Sequence, residues 1–376
     1  MQPVKTGAAI LLLAFLAGCI AVNPYFDPVK PHHTANGFKN NYVTAVDKSF
    51  SELVWWQIER REQGLPRPAE RPTPTLAPEL AAIQGYARGT RTQPRPPMVT
   101  WAGHATVLVQ AGGINVLTDP VFSERANLLQ FLGPQRAQPP GIALADLPPI
   151  DVVLISHNHY DHLDKASVLE IAQRAKDADS PTLFLVPLGL KSWFADIGIS
   201  NVIELDWWDK HHYRGVEFNL TPVQHWSARG FSDRNQTLWG GYAVFASDFH
   251  WYFSGDTGYS KDFSDTQARF ADHWKTATGD GFDLALIAVG AYEPRWFMKE
   301  QHVNPQEAVQ IHKDLRARRS IGVHWGTFEL TDESLDQPPQ DLAAAARTQG
   351  LKGGEFTVMA IGETRVLPAR AFIANP

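Results

Sequence analysis

Seven consecutive residues, Ser156-His157-Asn158-His159-Tyr160-Asp161-His162, constrain this chain most, because they follow directly on the strand-like run Asp151 to Ile155. Side chains two apart on a chain leaving a strand share a side, so His157 and His159 are able to point the same way. Asp161 and His162 are adjacent, and one more turn aims both at a second point nearby. Imidazole and carboxylate are the donors that suit Zn²⁺, Mn²⁺ or Fe. A single histidine is more often a packed or surface residue than a ligand. Four donors within six residues are hard to explain as packing, since each is costly to bury without a partner. Such a segment predicts a metal site at the end of a strand.

A site for two metals needs further donors, ideally a carboxylate able to bridge. Three candidates lie at the ends of later strand-like runs. His225 follows the run ending at Leu220, Asp256 sits in the glycine-flanked turn Gly255-Asp256-Thr257-Gly258 after Trp251 to Phe253, and His324 ends Ser320 to His324. Each is weak alone. The combination is the signal, and spacing by itself does not assign the donors to one metal or the other.

The layout suits one α/β domain. Val99 to Trp101, Ala105 to Gln110 and Ile114 to Leu117 read as strands, with Gly112-Gly113 as a hairpin turn. Further strands are expected at Thr182 to Val186, Val216 to Leu220, Tyr242 to Ala246 and Leu284 to Val289, with helices at Lys165 to Arg174, Pro305 to Arg316 and Pro339 to Gln349. Hairpins followed by strands alternating with helices imply mixed sheets covered by helices. Upstream, residues 20–98 divide into a polar tether (20–42), a helix over Val43 to Ile58 and a proline-rich connector over 64–98. That helix is of a kind able to lie on a membrane, but packing against the main domain is the expected role.

The spaced histidines and aspartates resemble the metallo-β-lactamase superfamily, and more particularly the family of N-acylphosphatidylethanolamine-hydrolysing phospholipases D. The similar stretches include Thr100-Trp101, Gly103 to Val107, Leu117-Thr118-Asp119-Pro120, Ser156 to Asp164, Val202 to Trp208, Gln224-His225-Trp226 and Gly255 to Tyr259. They continue through Gly290 to Lys299, Gln301-His302-Val303 and His324 to Phe328, so the resemblance runs from about residue 99 to 340. It implies an αββα sandwich over 99–370 with two Zn²⁺ ions, other divalent metals being alternatives. One ion would be held by His157, His159 and His225, the other by Asp161, His162 and His324, with Asp256 bridging. It also implies Tyr160 and His302 beside a substrate phosphate, and Asp161 and Asp256 orienting an attacking metal-bridging hydroxide. The products of that phosphodiester cleavage would be phosphatidic acid and an N-acylethanolamine. Lys165 departs from the family, standing where an aromatic residue is expected, and this puts the head-group and acyl-chain contacts in question.

Other features narrow the class. No Gly-x-Ser-x-Gly elbow and no Gly-Lys dipeptide for a phosphate-binding loop are present. A net charge of −6 leans against a nucleic-acid partner. The one cysteine, Cys19, ends a leader in which Lys5 precedes the apolar run Ala8 to Leu16. Leu16-Ala17-Gly18-Cys19 resembles a bacterial lipoprotein signal over residues 1–19, implying a lipid-anchored envelope protein, and Ile20 after the cysteine favours the outer membrane. Two rivals remain: a lactonase or β-lactam hydrolase on the same scaffold, and a non-catalytic envelope lipoprotein that keeps a metal site.

Overall fold

The computed structural model describes residues 23–43, 48–87, 95–127, 131, 133–230, 232–275 and 279–370. Cys19 and the leader, like residues 44–47 of the expected first helix, lie outside the described residues.

A short ribbon, β1 (His33–Thr34) with β2 (Gly37–Phe38), precedes two helices, α1 (Phe50–Gln63) and α2 (Leu80–Ala87). Helix α1 starts later than the apolar spacing predicts. Ser49 accepts from the Glu52 amide while the Glu52 carboxylate accepts from the Ser49 amide, and Gly64 closes the helix in the left-handed conformation. Such a reciprocal cap is worth about 1 kcal/mol and outweighs hydrophobic periodicity in setting the end.

The body is an αββα sandwich. One seven-stranded sheet contains β3 (Met98–Gly103), β4 (Thr106–Ala111), β5 (Ile114–Thr118), β6 (Val152–Leu154), β7 (Leu183–Pro187) and β8 (Val202–Leu205) in that order. Strands β3 to β5 are antiparallel, β5 to β8 are parallel, and α3 (Lys165–Asp177) and α4 (Lys191–Asp196) belong to this half. The other sheet contains β9 (Lys210–Tyr213), β10 (Val216–Thr221), β11 (Gly241–Phe245), β12 (His250–Phe253), β13 (Leu284–Ala288), β14 (Ser320–Val323) and β15 (Phe356–Val358). Its helices are α5 (Asp262–Arg269), α6 (Ala271–Lys275), α7 (Arg295–Met298), α8 (Pro305–Asp314) and α9 (Gln337–Thr348). The last strand, β16 (Thr364–Val366), returns to pair with β3 and completes the first sheet.

Alternation along the strands builds the layers. Val152, Leu154, Leu183 and Leu185 face the inter-sheet core with Phe218, Val244, Trp251 and Leu286. Val153, Ile155, Phe184 and Val186 turn the other way, onto Val168 and Ile171 of α3 and Phe194 of α4. Both faces are therefore covered, which is why these strands read as unbroken apolar runs.

Two expectations upstream need correction. Residues 23–43 are packed on the domain rather than standing off as a tether: Asn40 accepts the His225 amide and donates to the His225 carbonyl, each at 2.9 Å. Lys30, His32 and His33 all engage Asp206. These polar residues find buried partners far along the chain, so local polarity misreported them as solvated. The proline-rich connector likewise contains α2, whose Ile83 is buried against Ala102 and Leu108.

Candidate metal centre

The parallel strands release their C-terminal ends at one edge of the sandwich, and the donors gather there. His157, His159, Asp161 and His162 come from the loop after β6, His225 from the loop after β10, Asp256 from the turn after β12, and His324 from directly beyond β14. His324 takes a left-handed backbone, φ 63°, and its amide donates to the His104 carbonyl at 3.0 Å, turning the chain so that the ring faces inward.

All seven donors meet. His157 Nε2 lies 2.8 Å from His159 Nδ1, and His225 Nε2 lies 3.4 Å from that same atom. Asp256 Oδ2 stands 3.1 Å from His162 Nε2 and 3.9 Å from both His157 Nε2 and His225 Nε2, while Asp256 Oδ1 lies 3.2 Å from His324 Nε2. Asp161 Oδ2 lies 3.5 Å from His162 Nε2 and 3.3 Å from His324 Nε2. The groups close enough to share an ion include His157/His159/His225 on one side and Asp161/His162/His324 with His104 on the other, and also Asp256/His302/His324, Asp119/His157/His162 and, away from the centre, His32/His33/Asp206. Asp256 stands between the first two groups.

Outer hydrogen bonds decide what these nitrogens present. Asp119 accepts from the Ser156 hydroxyl and, at 2.7 Å, from His162 Nδ1. Because Ser156 spends its one proton on Asp119, His157 Nδ1–H must be the donor in the 2.9 Å contact with Ser156 Oγ. His225 Nδ1 donates to the Gln301 carbonyl at 3.0 Å. Each assignment leaves Nε2 as a bare lone pair aimed at the centre, the arrangement that serves a metal ligand. His162 Nε2 and Asp256 Oδ1 have no hydrogen-bond partner among the described residues. Lone pairs converging at under 4 Å without protons to share fit a cation.

Without that cation the centre holds protons instead. Burial brings His159 and His225 each down to about 3, and burial with the neighbouring imidazoles drives His157 well below its usual range. Burial alone would lower His162 and His324 too. Asp256 and Asp161 overturn it, pushing His162 well above the imidazole range and His324 up to about 9. Conversely, burial would raise Asp161 and Asp256, but His162 and its neighbours hold both well below ordinary carboxylates.

Three of the seven donors, His159, Asp161 and Asp256, reach the lining of a cavity of about 500 Å³. His159, Asp161, Asp256 and His302 line the polar end, and Phe50, Leu53, Trp56, Phe297, Met298 and Leu330 line the wall. The two residues expected at a phosphate part company. His302 is in the lining, with Nδ1 lacking a partner and 3.9 Å from Asp256 Oδ2, and burial lowers it to about 3. Tyr160 is not in the lining: its hydroxyl donates to the Arg229 carbonyl at 2.8 Å and its ring lies under the Arg229 guanidinium. Lys165 is exposed at the start of α3 and is also not in the lining. Sequence reasoning did not single out His104, Asp119 or Ser156 as site residues. Asp119 carries the same strand-end signal, immediately after β5, that marked Asp256.

The beta-lactamase superfamily domain matches residues 114–325. N-acyl-phosphatidylethanolamine-hydrolyzing phospholipase D 1 of Caenorhabditis elegans is 42% identical over 276 residues, covering 70% of this chain and 74% of that protein. The mitochondrial N-acyl-phosphatidylethanolamine-hydrolyzing phospholipase D of Saccharomyces cerevisiae is 34% identical over 353 residues, covering 84% and 72%. The crystal structure of a possible metal-dependent hydrolase from Veillonella parvula superposes with a TM-score of 0.55 at 17% identity, over 73% of this chain and all of that one, and supports the fold. Fold and site define a metal-dependent hydrolase of the metallo-β-lactamase fold. The chain belongs to the beta-lactamase superfamily and, within it, to the family of N-acyl-phosphatidylethanolamine-hydrolysing phospholipases D.

Proposed function

We propose that this protein is a two-zinc phosphodiesterase that hydrolyses N-acylphosphatidylethanolamine-like lipids to phosphatidic acid and an N-acylethanolamine. The observation that carries the reading is the cavity itself: its polar end opens on the seven-donor cluster through His159, Asp161 and Asp256, and its wall is largely apolar. His157, His159 and His225 would hold one ion and Asp161, His162 and His324 the other, with the Asp256 carboxylate standing between the two groups. Paired divalent ions, when bound, supply Lewis acidity toward phosphoryl oxygens and make a bound water acidic near neutrality.

The chain's own residues do the rest. Asp161, ionised and facing the cavity, orients the incoming water and accepts its proton as the new P–O bond forms. The bond that breaks joins phosphorus to the ethanolamine oxygen, which leaves with the proton that Asp161 has taken from the water. His302 lines the same end of the cavity and is neutral, so one of its ring nitrogens carries a hydrogen for a phosphoryl oxygen to accept. Tyr160 reaches the same phosphate only by releasing the Arg229 carbonyl. The wall formed by Phe50, Leu53, Trp56, Phe297, Met298 and Leu330 accommodates acyl chain. An acylated Cys19, holding the protein on the cell envelope at the outer membrane, would raise the local concentration of such a substrate.

One protein preparation, with its zinc counted, assayed against N-acylphosphatidylethanolamine vesicles, a lactone and a cephalosporin tests the reading. Hydrolysis of the lipid at the phosphate–ethanolamine bond with about two zinc ions per chain is expected. Turnover of the lactone or cephalosporin alone overturns it.

A further inference from the structure

Helix α1 is inverted relative to an ordinary surface helix. The side facing the domain is fixed by a few specific contacts: Trp56 stacks on Phe297 with centroids 4.8 Å apart and donates to Asp332, and Arg60 pairs with Asp332 and donates to the Thr331 carbonyl. Phe50, Val54 and Ile58, four apart and therefore on one stripe, point outward with Trp55 beside them. Phe50 is 80% exposed and Trp55 63%. Trp296 extends the patch, held beside α1 by Lys48, whose ammonium donates to the Trp296 carbonyl at 3.1 Å. Apolar side chains gathered in this way, rather than scattered singly, mark an interaction surface.

We infer that α1 is an interfacial helix that seats the mouth of the cavity on a phospholipid surface. The occupant follows from continuity. Phe50 and Leu53 belong both to the exposed patch and to the lining of the cavity that ends at Asp256. A protein or a second copy of this chain seated on α1 would cap that mouth, whereas a lipid surface feeds it. Trp55 and Trp296 are of the type that settles at the membrane–water boundary, and Arg61 on the outer face is able to keep its charge among head groups. No helix among the described residues is long and apolar enough to cross a membrane, so the contact is peripheral.

The inference rests on the lipid-hydrolase reading, and one experiment separates them. The full chain carrying Cys19→Ser, which removes acylation there, is compared with the same chain carrying Val54→Ser, Trp55→Ser and Ile58→Ser, none of which lines the cavity. Vesicles of phosphatidylcholine with N-acylphosphatidylethanolamine serve for sedimentation and turnover, and bis(p-nitrophenyl) phosphate reports an intact soluble activity. The triple variant should bind vesicles at least about tenfold more weakly and show a KM for vesicle lipid raised about as much, with the soluble diester turned over as before. Unchanged vesicle binding and KM overturn the docking assignment while the lipid reading stands. Patch-dependent vesicle binding without lipid hydrolysis supports docking and removes the lipid-hydrolase reading instead. A dimer that the triple variant abolishes makes this face a self-interface and overturns docking.

A separate observation concerns His104. Its Nε2 lies 3.0 Å from Asp161 Oδ2, and its Nδ1 has no partner among the described residues. A buried N–H without an acceptor is far costlier than a bare lone pair, so the proton sits on Nε2 and is given to Asp161. The geometry points to His104 as a positioning residue that fixes the Asp161 carboxylate for the second ion rather than as a ligand. His104→Ala should retain about one metal ion per chain after chelator dialysis instead of about two, with an altered Co²⁺ absorption spectrum. His104→Gln, which keeps an N–H near the same point, should restore the second ion. Two ions resisting the chelator in the alanine variant, loss of both ions, or no rescue by glutamine would each overturn the role.

Discussion

Two buried clusters in this molecule use the same residue types to opposite ends. At the candidate metal centre, histidines and aspartates turn bare lone pairs inward, and outer partners such as Asp119, Ser156 and Gln301 hold them so. In the N-terminal arm, His32 Nε2 lies 2.7 Å from Asp206 Oδ1 and His33 Nε2 2.9 Å from Asp206 Oδ2, with Lys30 completing the group. There the carboxylate is already satisfied by N–H donors and a cationic ammonium. The second arrangement contains a fixed ammonium on its carboxylate and the first does not, so composition alone does not identify a metal site. The direction in which protons point does.

The largest test of this contrast is Asp256→Ala, which removes the carboxylate standing between the two donor groups. Loss of most bound metal and at least about a thousandfold loss of hydrolysis are expected, read by elemental analysis and kinetics. Retention of both would dissolve the distinction drawn here. Acid should act next. Because His324 is held protonated up to about 9 and His162 is also raised, binding must displace protons. Apparent metal affinity therefore falls as pH falls, by about tenfold per unit for each proton displaced, as a competition titration would show. Asp119→Asn leaves every inner donor in place but weakens the hold on His162 and Ser156, so affinity should drop by roughly 10- to 100-fold.

The Asp206 cluster should respond in stability alone. Asp206→Asn is expected to leave metal content unchanged while costing about 3 kcal/mol in denaturant unfolding, since it leaves buried partners mismatched. Burial would raise the Asp206 carboxyl, but hydrogen bonds from His32 and Lys30 outweigh it and hold it below the usual range. The stability it supplies is therefore full above an ordinary aspartate pKa of about 3.9 and is lost as pH falls below that. Metal loss in this variant would mean the two clusters are not independent.

The sequence made the loop after β6 readable because its four donors are neighbours and follow an apolar strand. Asp256, His225 and His324 were readable only jointly, through their shared place at strand ends, and the resemblance supplied the grouping. His104 and Ser156 escaped because their value lies in contacts across the fold. His104 meets Asp161 57 residues away, a relation with no local signature. Strands buried on both faces showed as apolar runs, whereas β8, β9, β15 and β16, partly exposed at sheet edges, offered little pattern and were missed. The start of α1 was misplaced because its cap, not its periodicity, fixes the end.

Asn40 gives the arm ahead of the domain a part in the chemistry. By grasping both the amide and the carbonyl of His225, it serves as the splint on which one metal-facing ring is set, while Trp56 and its neighbours wall the chamber. The functional unit thus begins well before the first strand of the sandwich. A version trimmed to residues 99–370 would surrender both the splint and part of that wall, and should come out of purification poor in metal.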